Sequence, residues 1–341
     1  MTAASTAARR REGGYDVRVG VVSWNTAPLL DRCLTALPDA LGGLRAEIVV
    51  VDNASSDDSV KVAQGHGFVE VRRNSTNVGY ARAMNLALGH TSAPALVALN
   101  PDTDPPPGSL ARLVADLDRD PNLGLVVPRL RYADGRLQHS VHRFPSPLLA
   151  LVLGLVPHRL RRGPLGRILW LEGVALHDRH QELPGAWAIG AVHCIRSAAL
   201  AGQDPYDERW FMYTEDMDLC WRLQQRGWRL QLDPSVEIVH VGNAGAAQMW
   251  QPLERELNIV AATYTWYQAT RGPAAARRLA AAHVIGTAVK LAVSQAGKLR
   301  GRHRAPSGQA RADALGPLLA AHARQLLPAV PRAWRPGSRY Q

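Results

Sequence analysis

Two acidic clusters dominate the chemistry this sequence can offer. The first is LNPDTD, Leu99 to Asp104, where carboxylates follow a short apolar run and precede a helix start. Such acids either cap the helix or, through Asp102, hold a divalent cation. Hard Mg²⁺ or Mn²⁺ takes few protein carboxylates and completes its shell with phosphate oxygens and water. The second cluster is YTEDMDLCWRL, Tyr213 to Leu223, in which Glu215, Asp216 and Asp218 crowd one helical turn. Either they complement the helix dipole, or one of them lies in a cleft and removes a proton from a hydroxyl. Burial that raises its pKa suits a carboxylate to that task. His240 follows the next apolar segments and is either structural or a metal ligand through a neutral imidazole.

The elements that must position these groups alternate in type. Val17–Ser23, Glu47–Asp52, Phe68–Val71, Ala95–Leu99 and Leu123–Val127 read as strands, with amphipathic helical segments between them. Asp57 and Asp58 suit the positive end of the second helix. This alternation predicts an α/β fold with a mostly parallel sheet and helices on both faces. Ligands of such sheets bind beyond the carboxyl ends of the strands. The informative residues are therefore Ser23-Trp24-Asn25, Asp52-Asn53 and Asn100-Pro101-Asp102. Turn chemistry alone also favours Asn and Asp there.

Past residue 128 the pattern changes. Arg129–Gln138 predicts a hairpin about Asp134-Gly135, and a Pro- and Arg-rich stretch runs from Phe144 to Arg167. Trp187–Ile195, Trp228–Leu232 and Val236–His240 read as strands, and Glu215–Arg226 as a helix. From Trp250 the chain reads as helical to about Ala296 with a break at Gly272-Pro273, and beyond Gly301 as poorly ordered, with a further apolar helix possible over Leu315–Leu327. The expected division is a terminus over 1–15, a catalytic domain over 16–245 with halves 16–128 and 129–245, a helical extension over 246–300 and a basic tail over 301–341.

Charge divides the same way. Of the net +11, residues 271–341 carry 13 Lys and Arg against one acid, Asp313, while residues 1–270 hold 27 basic and 28 acidic groups. A neutral body with a basic end fits a polyanion met at one place, a membrane surface or lipid phosphate, and not a nucleic-acid-binding fold. Cys33, Cys194 and Cys220 are far apart with no CxxC, which excludes a disulfide framework and favours reduced thiols. Arginines near the start are followed by no apolar stretch, and the runs Leu148–Val156 and Leu279–Ala296 fall short of a span of about 20 apolar residues. A cytoplasmic protein is expected. Along Leu279–Ala296, His283, Thr287, Lys290 and Ser294 form a polar stripe on an otherwise apolar helix. The segment is either an in-plane membrane helix with basic flanks or a helix packed on the body.

The chain resembles the family 2 glycosyltransferases with a GT-A fold, in their rhamnosyltransferase-like branch. The likeness covers Asp16 to His240 and rests on VSWN (Val22–Asn25), VDNASSD (Val51–Asp57), NVGYARAMN (Asn77–Asn85), LNPDTD and DERWFMYTEDMDLCWRLQQRGW (Asp207–Trp228), in this order. The resemblance implies a nucleotide lying across the strand ends. Ser23 and Trp24 would flank the base, Asp52 would bond its imide edge, and Asn53 and Asn100 would adjoin it. Asn77, Gly79 and Asn85 would close over the nucleoside. LNPD resembles the family's metal motif with Asn100 in place of the first aspartate, so that Asp102 carries the ion, His240 completes its shell, and Asp104 falls outside the frame. Asp216 matches the general base, and the acceptor would meet Trp187, Gly190 and Glu215. His193 and Cys194 stand where relatives have apolar residues, and VGNAGAAQ after His240 lacks a serine often found there.

The implied reaction is inverting, metal-dependent transfer from a nucleotide-sugar donor to a polyprenyl-linked glycan acceptor at the inner face of the cell membrane. Its donor would be dTDP-L-rhamnose, with UDP-galactofuranose or another UDP-sugar as alternatives. Arg159, Arg161, Arg162 and Arg167 would meet an acceptor pyrophosphate or form a solvated loop. A nucleotidyltransferase would carry a Gly-rich basic signature after its first strand, and VSWNTAPLL has none. A membrane-surface adaptor would leave Asp102 and Asp216 without a purpose.

Overall fold

The computed structural model describes residues 14–157, 160, 181–242, 248–299 and 306–327. The chain forms two compact units: residues 1–142 with 176–248, and residues 143–175 with 249–341. One division between the units falls at residue 248. The stretch from Arg143, expected within the catalytic half, groups instead with the C-terminal helices.

The first unit is built on a mixed sheet. Strands β1 (Val17–Ser23), β2 (Ala46–Asp52), β3 (Val69–Arg73) and β4 (Ala95–Leu99) alternate with helices α1 (Ala27–Leu41), α2 (Ser59–Gly65) and α3 (Tyr80–Leu88). The sheet continues through β5 (Thr103–Asp104), β6 (Leu123–Arg131), β10 (Val192–Arg196) and β11 (Arg229–His240), in the spatial order β3-β2-β1-β4-β10-β6-β11-β5. Helix α4 (Ser109–Arg119) precedes β6. Every residue of β1 and β4 is buried, as expected of central parallel strands covered on both faces. Arg18 is the polar exception within β1: its guanidinium donates to the Ala87 carbonyl at 2.7 Å and to Glu47 at 2.8 Å. Gly20 lets α3 lie close, since a Cβ there would stand 2.9 Å from the Ala87 Cβ.

Two predicted strands are reorganised. The apolar run from Trp187 breaks at Gly190, giving β9 (Ala186–Ala188), which pairs with β7 (Val141–Arg143), and the central strand β10, antiparallel to both β4 and β6. Conversely, the two short strands expected before His240 are one, β11, with a register shift between Asp233 and Glu237 at Pro234. Proline has no N–H to give the ladder, so an irregularity there is the permitted outcome. β8 (Gln181–Glu182) pairs with β11.

The second unit is helical. It comprises α5 (Pro147–Leu155), α7 (Pro252–Arg271), α8 (Pro273–Leu299) and α9 (Pro306–Arg324). Helix α5 lies in the stretch read as Pro- and Arg-rich. Ser146 caps it by accepting the Leu149 N–H at 3.2 Å, and Pro147 occupies its first turn. Helix α9 overlaps the further helix read as possible over Leu315–Leu327 and begins earlier, at Pro306; it buries Ala312 and His322. By length and composition, residues 273–297 of α8 are long and apolar enough to cross a membrane, which corrects the expectation that no segment is. Arg161, Arg162 and Arg167 lie outside the described residues, as do Arg159 and residues 243–247.

Candidate functional site

The parallel register brings the polar strand ends together. Ser23 lies opposite Asp52 and Val21 opposite Leu99, so Trp24, Asp52 and Asn100 all emerge at the carboxyl edge of the sheet. Asp52 is buried; its Oδ2 accepts the Ser55 N–H at 3.1 Å while its Oδ1 has no partner. Asn100 Oδ1 is likewise buried and without a partner. An unanswered buried acceptor costs about 1–3 kcal/mol, so these two oxygens are ones a ligand's donors could satisfy.

Other strand-end groups are engaged within the protein. Ser23 is buried, with its hydroxyl 2.9 Å from that of Thr26. The Asn53 amide donates to Asn77 Oδ1 at 2.8 Å and to the Gly79 carbonyl at 3.4 Å. Its Oδ1 accepts from Asn74 Nδ2 and from the Val78 N–H, both at 3.0 Å. Asn77 Oδ1 also accepts the Gly79 N–H at 3.0 Å. Asn85, expected over the nucleoside, instead clamps a distant backbone: its amide donates to the Tyr206 carbonyl at 2.7 Å and its Oδ1 accepts the Tyr206 N–H at 3.0 Å. Ser23, Asn53, Asn77 and Asn85 thus shape the loops around the edge, and their side chains spend their hydrogen bonds there.

Asp102 and His240 face one another, with Oδ1 and Nε2 3.3 Å apart and both residues buried. The antiparallel pairing of β5 with β11 sets this approach by placing His240 opposite Thr103. Asp102 Oδ2 accepts the Gly242 N–H at 3.0 Å. Burial opposes ionisation of Asp102, but the hydrogen bonds from His240 and Gly242 prevail and hold its pKa below the ordinary value. Gln138, unnoticed in the sequence, adjoins the other ring nitrogen. Its Oε1 lies 2.9 Å from His240 Nδ1, and a proton kept on Nδ1 by that contact would leave the Nε2 lone pair for an ion. One carboxylate oxygen and one imidazole nitrogen at this separation fit adjacent positions on a small divalent ion, which holds ligands at about 2.1 Å. Among the described residues no third His, Cys, Asp or Glu joins them. Asp104 points elsewhere, paired on the surface with Arg32 at 2.6 Å.

The second acidic cluster opens α6 (Glu215–Gln225), which follows two residues with left-handed backbone, Tyr213 at φ 64° and Thr214 at φ 91°. Such conformations cost non-glycine residues about 1–3 kcal/mol each and cluster at functional sites. The structure separates the three acids. Asp218 is buried against Arg222 at 2.7 Å one turn on, a structural pair. Asp216 accepts the Met217 N–H at 2.7 Å and the Gly190 N–H at 3.1 Å. Glu215 is buried with Oε2 unpartnered. Burial pushes the Asp216 pKa up to about 6, and burial together with the neighbouring Asp216 charge drives Glu215 well above the carboxylate range. Both shifts run toward the protonated acid.

The two clusters converge through Gly190 and Tyr80. The Tyr80 hydroxyl donates to the Gly190 carbonyl at 3.2 Å, and the Asn100 N–H donates to the adjoining Ala191 carbonyl at 2.9 Å. Burial, then the charges of Glu215, Asp216 and Asp102 together, hold the Tyr80 phenol well above its usual pKa. A Cβ at Gly190 would stand 3.4 Å from the Asp216 Cβ and 4.0 Å from its Oδ2, which places this backbone directly beside the carboxylate. Trp187 stacks on His142 with centroids 5.1 Å apart and leaves its indole N–H unpartnered. Trp210 Nε1 and Thr214 Oγ1 are likewise buried without partners, and only their burial in the fold marks them. His193 is not exposed to this site: it is fully buried, bridging the Tyr206 hydroxyl and the Ala188 carbonyl at 3.1 Å each, and burial lowers its pKa to about 4.

A pH dependence follows from Asp216. Its basic form grows as pH rises through about 6, so acceptor turnover should rise about tenfold per pH unit below that point and flatten above it. Stability should move the other way. A carboxyl whose folded pKa exceeds its unfolded value near 3.8 stabilises the fold at low pH and loses that contribution as pH climbs through the folded value. Initial rates and melting temperatures between pH 4.5 and 8 test both limbs.

The model of the family described as glycosyl transferase family 2 matches residues 19–178. The chain is 29% identical over 235 residues to the N-acetylglucosaminyl-diphospho-decaprenol L-rhamnosyltransferase of Mycobacterium tuberculosis, covering 65% of this chain and 75% of that protein. It is 32% identical over 232 residues to the pre-mycofactocin glycosyltransferase of the same organism, covering 66% and 42%. A mannosyltransferase from Pyrobaculum calidifontis, solved with GDP-Man and Mn²⁺, superposes with a TM-score of 0.50 at 16% identity over 95% of this chain and 92% of that one, a likeness of fold.

Proposed function

From a chain that belongs to the family 2 glycosyltransferases and has their GT-A fold, we propose an inverting transfer of a sugar from a nucleotide-diphosphate donor to a hydroxyl of a polyprenyl-linked glycan. The observation that carries the reading is the pairing of two oppositely equipped sides about Tyr80. One offers the unanswered acceptors of Asp52 and Asn100 with the Asp102–His240 pair; the other offers Asp216 beside Gly190.

Asp52 Oδ1 accepts the imide N–H of the base, and Trp24 flanks the ring. Asp102 and His240 hold Mg²⁺ or Mn²⁺, which when bound supplies positive charge against the donor's phosphates. Asp216, its lone pairs oriented by the Gly190 and Met217 N–H groups, takes the acceptor's proton as the hydroxyl oxygen attacks the anomeric carbon. The bond to the nucleoside diphosphate breaks as the new one forms, the diphosphate leaves with the electron pair, and configuration inverts. Protonated Glu215, with Oε2 free, donates a hydrogen bond to the acceptor, which also packs on Trp187. The name of the decaprenol-linked relative supports L-rhamnose as the sugar transferred and a diphosphate-linked polyprenol acceptor; dTDP as its carrier and a role in cell-wall or surface polysaccharide synthesis belong to the same proposal. The enzyme works as a peripheral protein on the inner face of the cell membrane, held to its anionic surface by the C-terminal segment. An adaptor reading falls with membership of an enzyme family.

A thermal-shift screen of nucleoside diphosphates and sugar nucleotides, with and without Mn²⁺, tests the donor side. A cognate donor at 100 times its Kd adds about 2.7 kcal/mol, or roughly 5–10 °C in a domain of this size. The Asp102→Ala variant should lose the Mn²⁺-dependent part of that shift, and Gln138→Leu should weaken Mn²⁺ binding about 10–100-fold. A shift that is unchanged in Asp102→Ala would remove the metal from this pair.

A further inference from the structure

Helix α8 divides its polar stripe, with Lys290 exposed and two other members turned inward. His283 faces inward, its Nδ1 2.8 Å from the Tyr264 hydroxyl, and Ser294 is 3% exposed. The outward line is apolar: Ile285, Val289 and Val293, four residues apart, are all exposed, Val293 at 64%. The helix buries Leu279, Ala280 and Ala282 against its own unit, so Ile285, Val289 and Val293 are apolar side chains left over on its outer side, beside the exposed Lys290. Helix α5 adjoins it. Gly154 and Gly286 meet so closely that a Cβ on Gly286 would lie 2.7 Å from the Gly154 Cα. In α5, PLLALVLGL, only Ala150 is buried, and Leu148 is 72% and Leu155 46% exposed.

The charge of this unit says what covers the surface. Residues 143–175 and 249–341 hold 19 Lys and Arg against 4 Asp and Glu, a balance of +15, while the other unit holds 21 against 25, or −4. Arg278 is exposed at the N-terminal end of the same α8 line. A second copy of a unit at +15 would be repelled, whereas an anionic lipid surface would attract it.

We infer that α5 and α8 together form a bilayer-docking face, with Leu148, Leu155, Ile285, Val289 and Val293 entering the interfacial region of an anionic membrane. This rests on the membrane reading above and deepens it: the contact is made by two segments far apart in sequence, and on α8 by the line of Ile285, Val289 and Val293. The helix lies in the plane of the surface.

The three native cysteines are buried, so a single introduced thiol takes a polarity-sensitive dye selectively. Full-length Leu148→Cys and Val293→Cys proteins, labelled, should show blue-shifted emission with vesicles containing phosphatidylglycerol, and labelled Gln268→Cys on α7 should not. Leu148→Asp with Val293→Asp should cut the floated fraction of full-length protein about tenfold or more, with melting temperature and donor-induced shift retained. If the parent floats and the double variant floats equally, this face is wrong while the membrane reading stands. If the parent fails to float, both fall. Dye shifts that follow protein concentration without vesicles would assign the face to self-association, and retention after an alkaline carbonate wash would overturn the surface mode; each refutes the inference.

Discussion

Asp216→Asn should lower kcat about 10²–10⁴-fold, the usual contribution of a general base, with donor affinity nearly unchanged. The substitution keeps the shape and one accepting oxygen, but sets an amide N–H₂ against either the Met217 or the Gly190 N–H, which now bond its two oxygens. The acceptor hydroxyl loses its proton sink. Removing a carboxylate that burial already disfavours offsets part of the lost hydrogen bond, so the melting temperature should move little. Asp218→Asn is the informative control: it breaks the Arg222 pair and should reduce stability while leaving a folded fraction with near-normal turnover. Acceptor-dependent release of nucleoside diphosphate, measured alongside donor affinity, reads the contrast. Turnover above a tenth of the parent's in Asp216→Asn would place the base elsewhere.

Gly79→Ala should damage stability, donor affinity and turnover together. Gly79 has φ +87°, where a Cβ is strained by about 1–3 kcal/mol. That Cβ would also lie 2.6 Å from both the Phe211 carbonyl oxygen and its ring. The oxygen is fixed, accepting the Tyr80 N–H at 2.8 Å, and backbone cannot yield as a side-chain tip would. Displacing Phe211 disturbs the strained Tyr213–Thr214 pair that aims Asp216, while displacing Gly79 disturbs the loop tied to Asn53. A loss of at least about 2 kcal/mol, roughly 4–8 °C at this size, should accompany a raised donor KM and a lowered kcat. Calorimetry and steady-state kinetics measure these; parental values for all three would mean that the contact carries no weight.

The alternation of Val17–Ser23 through Leu99 was legible because central parallel strands read as continuous apolar runs, and the polar residues that end them stood out by contrast. Asp102 and Asp216 could be picked by the motifs around them. The roles of Ser23, Asn53 and Asn85 could not, because whether an amide meets a ligand or a backbone 121 residues away depends on tertiary partners. Gln138 carries no local signal, being one glutamine after a hairpin turn. Breaks at Gly190 and Pro234 moved strand boundaries that an apolar pattern alone runs together or splits. The wheel of α8 showed where its polar stripe lies but not which side the neighbouring helices would take.

The position of β10 bears on how the chain is made. It pairs with both β4 and β6 in the central sheet, and it is antiparallel to each. Until residue 196 leaves the ribosome, the wholly apolar β4 therefore offers an open hydrogen-bonding edge of the kind that recruits other chains. At about 5–20 residues per second, the 97 residues from Leu99 to Arg196 leave that edge bare for roughly 5–20 s, the interval in which nascent chains of this enzyme most need a chaperone.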